Sequence, residues 1–246
     1  MKIAEFQTRI EELFGAFFTE MKRERFILAE KGEERLWMIL YKAEDQKGFP
    51  LEKASFFVLE NGWVWNKDDK KLLDENEIFV GSLFPVDGLP LPLLSMEASV
   101  HVGKYDHLNV DLFPLSKNEQ YREVFCDPVR ALRAKNADLP GVLQGTVNPS
   151  LFGGYTSGGM LSGDIPTAYR SRSLPWWFEY AELYKDFLMN REKMAILKDP
   201  VVIEEGQKIR NVFLTNFRKE TPRILMDIPN LYSKEKGEQL GEYLFG

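Results

Sequence analysis

The side chains best suited to chemistry lie in a hairpin-like stretch at positions 96–112. Polar residues recur at every second position on its two arms: Glu97, Ser99 and His101 on the first arm, and His107, Asn109 and Asp111 on the second. Side chains alternate between the two faces of a strand, so each set shares one face. A turn at positions 103–106 would bring both sets to the same side of a sheet. The pattern predicts a cluster that holds two carboxylates and both histidines of the chain.

Such a cluster is suited to proton transfer. A carboxyl group in a covered, poorly solvated setting can hold its proton near neutral pH and donate it to a substrate. The alternative is an ordinary exposed polar face on an edge hairpin. Helices are predicted both before and after the strands, so both faces of the sheet are expected to be covered. Covered polar groups need hydrogen-bond partners or a ligand, and the pattern alone leaves both interpretations open.

The composition excludes several classes of site. A single cysteine, Cys126, rules out an internal disulfide and any metal or iron–sulfur site built on several thiolates. Two histidines argue against a multi-histidine metal site, so no metal ligands are assigned. The net charge of −6 and the sequence pI near 5.2 give no electrostatic support for nucleic-acid binding. If the chain performs redox chemistry, its substrate or an external partner must supply the electrons.

The chain is expected to be a cytoplasmic, monomeric protein with one domain over residues 1–246. No segment approaches the roughly 18 unbroken apolar residues that a membrane span needs. Acidic residues among the first apolar positions argue against a signal or transit peptide.

A helix and a series of strands are predicted before the hairpin. Apolar residues recur at three- and four-residue steps from Ile3 to Met21, which places them on one helical face. Four pieces rich in aromatic and branched residues follow: RFILAE, RLWMILYKA, ASFFVLENGWVW and EIFVGSLFP. Five or more strands without intervening helices indicate an antiparallel sheet.

After the hairpin the pattern becomes helical. Helices are predicted at 118–135, with an interruption near Asp127-Pro128, and at 176–197, 200–219 and 233–244. Residues 141–173 contain seven glycines and are predicted to form a loop. The predicted fold class is α/β, a three-layer α/β/α sandwich with a central antiparallel sheet.

The order of these segments resembles the ferredoxin-dependent bilin reductase superfamily. The run EIFVGSLFPVDGLPLPLLSMEASV, followed by LNVDLFPLS, is similar to its central strands, including an Asp-x-x-Pro strand that here reads Asp111-Leu-Phe-Pro114. Two later runs, SRSLPWWFEYAELYKDFL and RKETPRILMDIPNLYSKEKGEQLGEYLFG, resemble the entry into its penultimate helices and its ending. The resemblance covers roughly residues 77–116 and 171–245 and rests on the order and spacing of these pieces.

The resemblance implies a specific kind of reaction. A bilin, biliverdin or one derived from it, would lie between the sheet and the C-terminal helices. No metal, flavin or other cofactor would be bound by the protein. Reduced ferredoxin would deliver electrons one at a time, protein carboxyls would supply protons, and the intermediates would be substrate radicals.

Three positions bear most directly on the mechanism that the resemblance implies. Glu97 falls where these enzymes carry a catalytic aspartate, which makes it the expected principal proton donor. Val80 falls where the phycocyanobilin-forming branch carries a histidine. The second family aspartate lies in an Asn-Asp-Lys-Thr-like motif that here reads Arg218-Lys219-Glu220-Thr221. Lys219 replaces that aspartate, or Glu220 takes its place if the helix register shifts by one residue.

Supporting roles are assigned to the remaining candidates. Hydrogen bonding to the substrate or help with its protonation is expected of His101, His107 and Asp111. Substrate contact is expected of Val80, Ser99, Asn109 and Glu220. Neutralisation of propionates or docking of an acidic ferredoxin is expected of Arg172, Arg218 and Lys219.

Three alternatives remain. Glu97 in a Leu-Leu-x-Met-Glu-like context is similar to red chlorophyll catabolite reductase, which implies a chlorophyll-derived linear tetrapyrrole as the substrate. Absence of the second aspartate and of the histidine would suit a bilin-binding protein without catalytic activity. The third alternative is an unrelated α/β domain with a chance similarity.

Overall fold

In the part of the chain that the structure describes, seven antiparallel strands form one sheet, and each strand pairs with its neighbour in the sequence. The computed structural model describes residues 3–31, 34–44, 48–65, 72–101, 104–143 and 155–226. The strands are β1 (Met21–Lys31), β2 (Glu34–Ala43), β3 (Leu51–Trp65), β4 (Leu72–Pro85), β5 (Leu93–His101), β6 (Tyr105–Phe113) and β7 (Leu161–Pro166). The predicted α/β class with an antiparallel sheet is confirmed.

Helices precede and follow the strands. They are α1 (Ile3–Leu13), α2 (Gly15–Phe18), α3 (Glu119–Ala134), α4 (Arg170–Asn190) and α5 (Pro200–Met226). Short 3₁₀ turns lie at Thr167–Tyr169, Arg191–Lys193 and Ala195–Lys198. Within the described part of the chain, no helix has the length and apolar character that spanning a membrane requires.

One face of the sheet packs against α1 and α4. The ring of Phe79 on β4 lies 6.4 Å from that of Phe6 on α1 and 6.0 Å from that of Trp177 on α4. Ala98 and Leu108 continue this face across β5 and β6, because Phe79 pairs with Ala98 and Ala98 with Leu108. All five side chains are fully buried, and we call this side of the sheet the Phe79 face.

The opposite side carries Glu97 and is called the Glu97 face. Alternation along β6 places Asn109 and Phe113 on this side, since Asn109 is the register partner of Glu97. Helix α5 contacts the Glu97 face at the end of β6, where the ring of Phe213 lies 5.4 Å from that of Phe113. A complete three-layer sandwich remains a prediction.

Two predictions about the second half of the chain are wrong. The stretch 141–173 is not only loop, because β7 lies within it and pairs with β6. Helix α3 runs without interruption through Pro128, with Asn118 as its N-cap accepting from the N–H of Tyr121 at 3.1 Å. The residues on either side of Pro128 that face the core, Phe125 and Val129, are fully buried. Their packing outweighs the cost of about 3 kcal/mol that proline imposes inside a helix.

The helix boundaries differ from the predicted ones. Helix α4 begins at Arg170, six residues before the predicted start, and 3₁₀ turns replace its predicted last turns. Helix α5 extends to Met226, beyond the predicted end at 219. The helix predicted at 233–244 lies outside the described residues.

Candidate functional site

Three neighbouring strands bring polar side chains together on the Glu97 face. Glu97 on β5 pairs in register with Asn109 on β6, and Asn109 pairs with Ser162 on β7. In the next row of the same face, His107 on β6 pairs with Asp164 on β7. Register partners in an antiparallel sheet point to the same side, so these five residues share a face. The sharing of one side by both hairpin arms is what side-chain alternation predicts from the sequence.

Hydrogen bonds connect these side chains into one chain of contacts, here called the Glu97 network. Asn109 Nδ2 donates to Glu97 Oε2 at 3.0 Å and lies 2.7 Å from His107 Nε2. His107 Nδ1 lies 2.6 Å from Asp164 Oδ1. The hydroxyl of Ser162 donates to Asn109 Oδ1 at 2.5 Å. The Glu97 network therefore extends across three strands, from a half-buried carboxylate to one that is 61% exposed.

An apolar strip adjoins the Glu97 network on its other side. Val80 on β4 is the register partner of Glu97, and Phe57 on β3 is the register partner of Val80. Both side chains are half-buried, whereas Met38, the next residue along this row, is buried. A partly exposed surface that combines valine and phenylalanine with an adjacent carboxylate suits a flat, largely apolar ligand that carries a few polar groups.

Asp111 lies on β6, like His107 and Asn109, but its hydrogen-bond partners are outside the Glu97 network. Its carboxylate is fully buried and accepts from the N–H of Ser157 at 3.1 Å, from the Ser157 hydroxyl, and from the N–H of Leu112 at 2.9 Å. Burial raises the pKa of Asp111 to about 6, although these hydrogen bonds favour the charged form. Asp111 thus holds the segment that leads into β7, and its carboxylate makes no described bond to the Glu97 network.

The other predicted residues of the hairpin have different surroundings. Ser99 is the register partner of His107 and is buried, at 6% exposure. His101 is the last residue of β5 and pairs with Asn76, but its side chain lies outside the described residues.

The predicted basic residues lie on two helices. Arg172, in the first turn of α4, is half exposed and contacts Asn136 at 2.9 Å and Asp138 at 3.4 Å. Helix α4 packs on the Phe79 face, so the structure does not bring Arg172 to Glu97. Arg218 lies on α5 and is half-buried. The side chains of Lys219 and Glu220, on the same helix, lie outside the described residues.

Sequence reasoning missed a buried lysine near α5. Lys53 on β3 is only 7% exposed and lies 5.2 Å from the ring of Phe84. Burial, together with the positive charges of Arg210 and Arg218, lowers the pKa of Lys53 to about 8. Arg210 is itself buried and pairs with Glu52 at 2.6 Å. The sequence feature that points to this basic cluster is Lys53 itself, which lies near the start of β3, just before the aromatic and branched residues of that strand.

It also missed Ser162 and Asp164. Both lie in LSGDIP, a stretch whose glycine, aspartate and proline are typical of loops. Their place in the Glu97 network follows from the pairing of β7 with β6, which local composition does not indicate.

Comparison with known proteins gives a structural match and no match by sequence. No family model matches the chain, and neither does any curated protein. Among solved structures, the crystal structure of phytochromobilin synthase from tomato in complex with biliverdin superposes with a TM-score of 0.65. The superposition covers 98% of this chain and 81% of that one, at 16% sequence identity. The chain has the fold of phytochromobilin synthase. At this identity the likeness to phytochromobilin synthase shows the fold alone.

Proposed function

We propose that this chain is a bilin reductase, which binds a linear tetrapyrrole on the Glu97 face and reduces it with electrons from reduced ferredoxin. The observation that carries this proposal is the Glu97 network, a half-buried carboxylate held by hydrogen bonds beside an apolar strip. The network lies on a fold shared with phytochromobilin synthase, whose structure is recorded in complex with biliverdin. Biliverdin or a bilin derived from it is the proposed substrate.

Glu97 is the proposed proton donor. One of its carboxylate oxygens accepts from Asn109, and the register partner on its other side, Val80, has an apolar side chain. A tetrapyrrole lying along the strip formed by Val80 and Phe57 would therefore place its conjugated rings beside the carboxyl group. A carboxyl group in such a partly desolvated position can donate a proton to a substrate that has gained an electron.

The proposed reaction balances with a one-electron donor. For each double bond that is reduced, two molecules of reduced ferredoxin supply two electrons in succession, and two protons are added, with Glu97 as the principal proton donor. One carbon–carbon double bond of the bilin becomes a single bond that carries two additional hydrogens. The first electron and proton produce a substrate radical, and the second pair completes the reduction. Since the conjugated substrate accepts the electrons itself, the proposal requires no cofactor bound to the protein.

The basic cluster of Lys53, Arg210 and Arg218 would bind the propionate groups. Lys53 lies on the Glu97 face, since alternation along β3 places it with Phe57. Lys53 and Arg210 are both buried, and Glu52 pairs with Arg210 at 2.6 Å, so a propionate would bring a further anion to a group of buried cations. Helix α5, which carries both arginines, would then cover the ligand as the third layer of the sandwich. Arg172 is assigned to ferredoxin docking, because it is exposed on α4.

Absorption spectroscopy tests the proposal. Purified protein is mixed with biliverdin under anaerobic conditions, and spectra are recorded before and after the addition of reduced ferredoxin. We expect a shifted spectrum on binding, followed by conversion to a bilin that absorbs at shorter wavelength. Binding without conversion would favour the non-catalytic alternative, and absence of any spectral change would contradict the proposal.

A chlorophyll-derived linear tetrapyrrole is the second candidate substrate. The glutamate at position 97 favours it, because its Leu-Leu-x-Met-Glu-like context is similar to red chlorophyll catabolite reductase. Turnover of this pigment class and of biliverdin is compared under the same conditions. Faster reduction of the chlorophyll-derived pigment would assign the chain to the second candidate.

A further inference from the structure

Asp164 connects the Glu97 network to solvent. Its carboxylate is 61% exposed, whereas the imidazole of His107, which it contacts at 2.6 Å, is 33% exposed. Asn109 and Glu97 are both half-buried. A carboxylate that contacts a histidine fixes which of the two ring nitrogens carries the proton.

The protons of the Glu97 network can be assigned from its geometry. Asn109 has two amide hydrogens, and Nδ2 lies within hydrogen-bond distance of Glu97 Oε2 and of His107 Nε2. The amide oxygen is occupied by the hydroxyl of Ser162. His107 Nε2 must then accept from Asn109, so the imidazole is neutral and its hydrogen is on Nδ1, directed at Asp164. A doubly protonated His107 would place two hydrogens between Nε2 and Nδ2.

We propose that Asp164 and His107 position the Glu97 carboxylate through the side-chain amide of Asn109. This inference rests on the proposed function, in which Glu97 donates the proton. Asp164 selects the Nδ1–H form of His107. The unprotonated Nε2 of His107 then accepts from the amide nitrogen of Asn109 and keeps that nitrogen directed at Glu97. Asp164, His107 and Asn109 act through Glu97 and are positioning residues in this proposal.

Loss of the Asp164 carboxylate has a definite structural consequence. In an Asp164→Asn variant, the new amide can donate to His107 Nδ1, which a carboxylate cannot do, and this favours the imidazole form whose hydrogen lies on Nε2. Asn109 then rotates its amide so that Oδ1 accepts from His107. The same oxygen would now face Glu97, where it repels the ionised carboxylate and, once Glu97 is protonated, accepts the hydrogen bond of the proton that the substrate should receive. At metal sites, loss of a group that orients a ligand reduces activity by roughly 10- to 100-fold, and we expect a loss of similar size here.

The tautomer of His107 is the first measurement. The chain has only two histidines, so ¹⁵N spectra of the imidazoles are simple, and a His101→Gln variant assigns them. At about pH 8, where an ordinary imidazole is neutral, we expect the Nδ1–H form of His107 in the wild-type protein. We expect the Nε2–H form or a mixture in Asp164→Asn. A wild-type Nε2–H form, or an identical spectrum in the variant, would overturn the proposal.

Steady-state kinetics is the second measurement, with Asp127→Asn as the matched control. Asp127 is an exposed carboxylate that pairs with Arg130 on α3, outside the Glu97 network. We expect kcat of Asp164→Asn to fall by about 10-fold or more with KM changed less than about twofold, and Asp127→Asn to match the wild type. An unchanged kcat in Asp164→Asn would overturn the positioning role.

The two proposals fail in different ways. A wild-type protein that reduces no linear tetrapyrrole contradicts the proposed function, whatever the tautomer of His107. A functional wild-type enzyme whose His107 spectrum and kcat do not respond to Asp164→Asn contradicts only the positioning role.

Discussion

The indole N–H of Trp177 lies 3.2 Å from the main-chain oxygen of Glu97, although the two side chains belong to opposite faces of the sheet. The same N–H lies 3.1 Å from the main-chain oxygen of Asn109. Trp177 is fully buried between the sheet and α1, where its ring is 5.5 Å from that of Phe6. The aromatic core on the Phe79 face therefore supports the backbone directly beneath Glu97 and Asn109, two residues of the Glu97 network.

Replacement of Trp177 should affect both stability and activity. Trp177→Phe removes the N–H and leaves a small cavity, which we expect to cost about 1–3 kcal/mol of unfolding free energy. The backbone at Glu97 and Asn109 loses its support, so the rate of bilin reduction should also fall. Urea unfolding and steady-state turnover measure the two effects.

Trp176→Phe is the matched control for this experiment. Trp176 is equally buried, but its N–H donates to the main-chain oxygen of Leu132 at 2.8 Å, on α3. We expect a comparable loss of stability with little change in turnover. Equal losses of turnover in both variants would show that Trp177 has no particular connection to the site.

The strands and the face of the hairpin were predictable because both depend on local alternation. The pieces rich in aromatic and branched residues all lie in strands, and the pairing of Glu97 with Asn109 follows from the short interval in sequence between β5 and β6. Strand β7 was not predictable in this way. It is separated from β6 by α3 and a long connection, and its pairing depends on tertiary contacts.

Local reasoning also could not identify the partner of Asp111. Alternation assigns Asp111 to the same face as Asn109, but the carboxylate bonds to Ser157, which lies 46 residues further along the chain. A period of two in the sequence predicts the side of the sheet and carries no information about distant segments that approach the strand edge.

The buried carboxylate of Asp111 should make stability depend on pH. Its pKa in the folded protein is about 6, above the value near 4 of an unfolded chain. Between these values the folded state binds more protons than the unfolded state, so this contribution is present below about pH 4 and is lost as the pH rises through about 6. The difference of roughly two units corresponds to about 3 kcal/mol.

An Asp111→Asn variant isolates this effect, since an amide does not titrate. We expect the unfolding free energy of the variant, relative to the wild type, to increase by about 3 kcal/mol between pH 4 and pH 7.5. Other carboxylates titrate in both proteins and cancel in the comparison. Asp138→Asn, which removes an exposed carboxylate, should show no such change. If the difference in unfolding free energy between Asp111→Asn and the wild type did not change with pH, Asp111 would have the same pKa in the folded and unfolded states.

Gly163 on β7 is required by a close approach of two backbone segments. A Cβ at this position would lie 2.2 Å from the main-chain oxygen of Gly141 and 2.9 Å from the Cα of Val142. Gly163→Ala must push the 141–142 segment away from β7 and should cost about 1–3 kcal/mol or more. Because Asp164 follows directly, the variant should also reduce turnover.

Gly15→Ala is the control substitution for this prediction. Gly15 begins α2, and a Cβ there has nothing within 4 Å. We expect its stability to stay the same or to rise by up to about 1 kcal/mol, because alanine restricts the unfolded chain more than glycine does. Thermal or urea unfolding of both variants measures the difference, and equal stabilities would contradict the close packing described for β7.

The most direct test of the account is the rate of bilin reduction by Glu97→Gln. The amide keeps the size of the side chain and its hydrogen bond to Asn109 but cannot donate a carboxyl proton. We expect the variant to bind biliverdin with the spectrum of the wild-type complex and, after addition of reduced ferredoxin, to reduce it at least about 100-fold more slowly. The control is Glu179→Gln, which removes a carboxylate that pairs with Lys135. Glu179 lies on α4, which packs on the Phe79 face, so this variant should retain the wild-type rate. Reduction by Glu97→Gln at the wild-type rate would contradict the assignment of Glu97 as the proton donor.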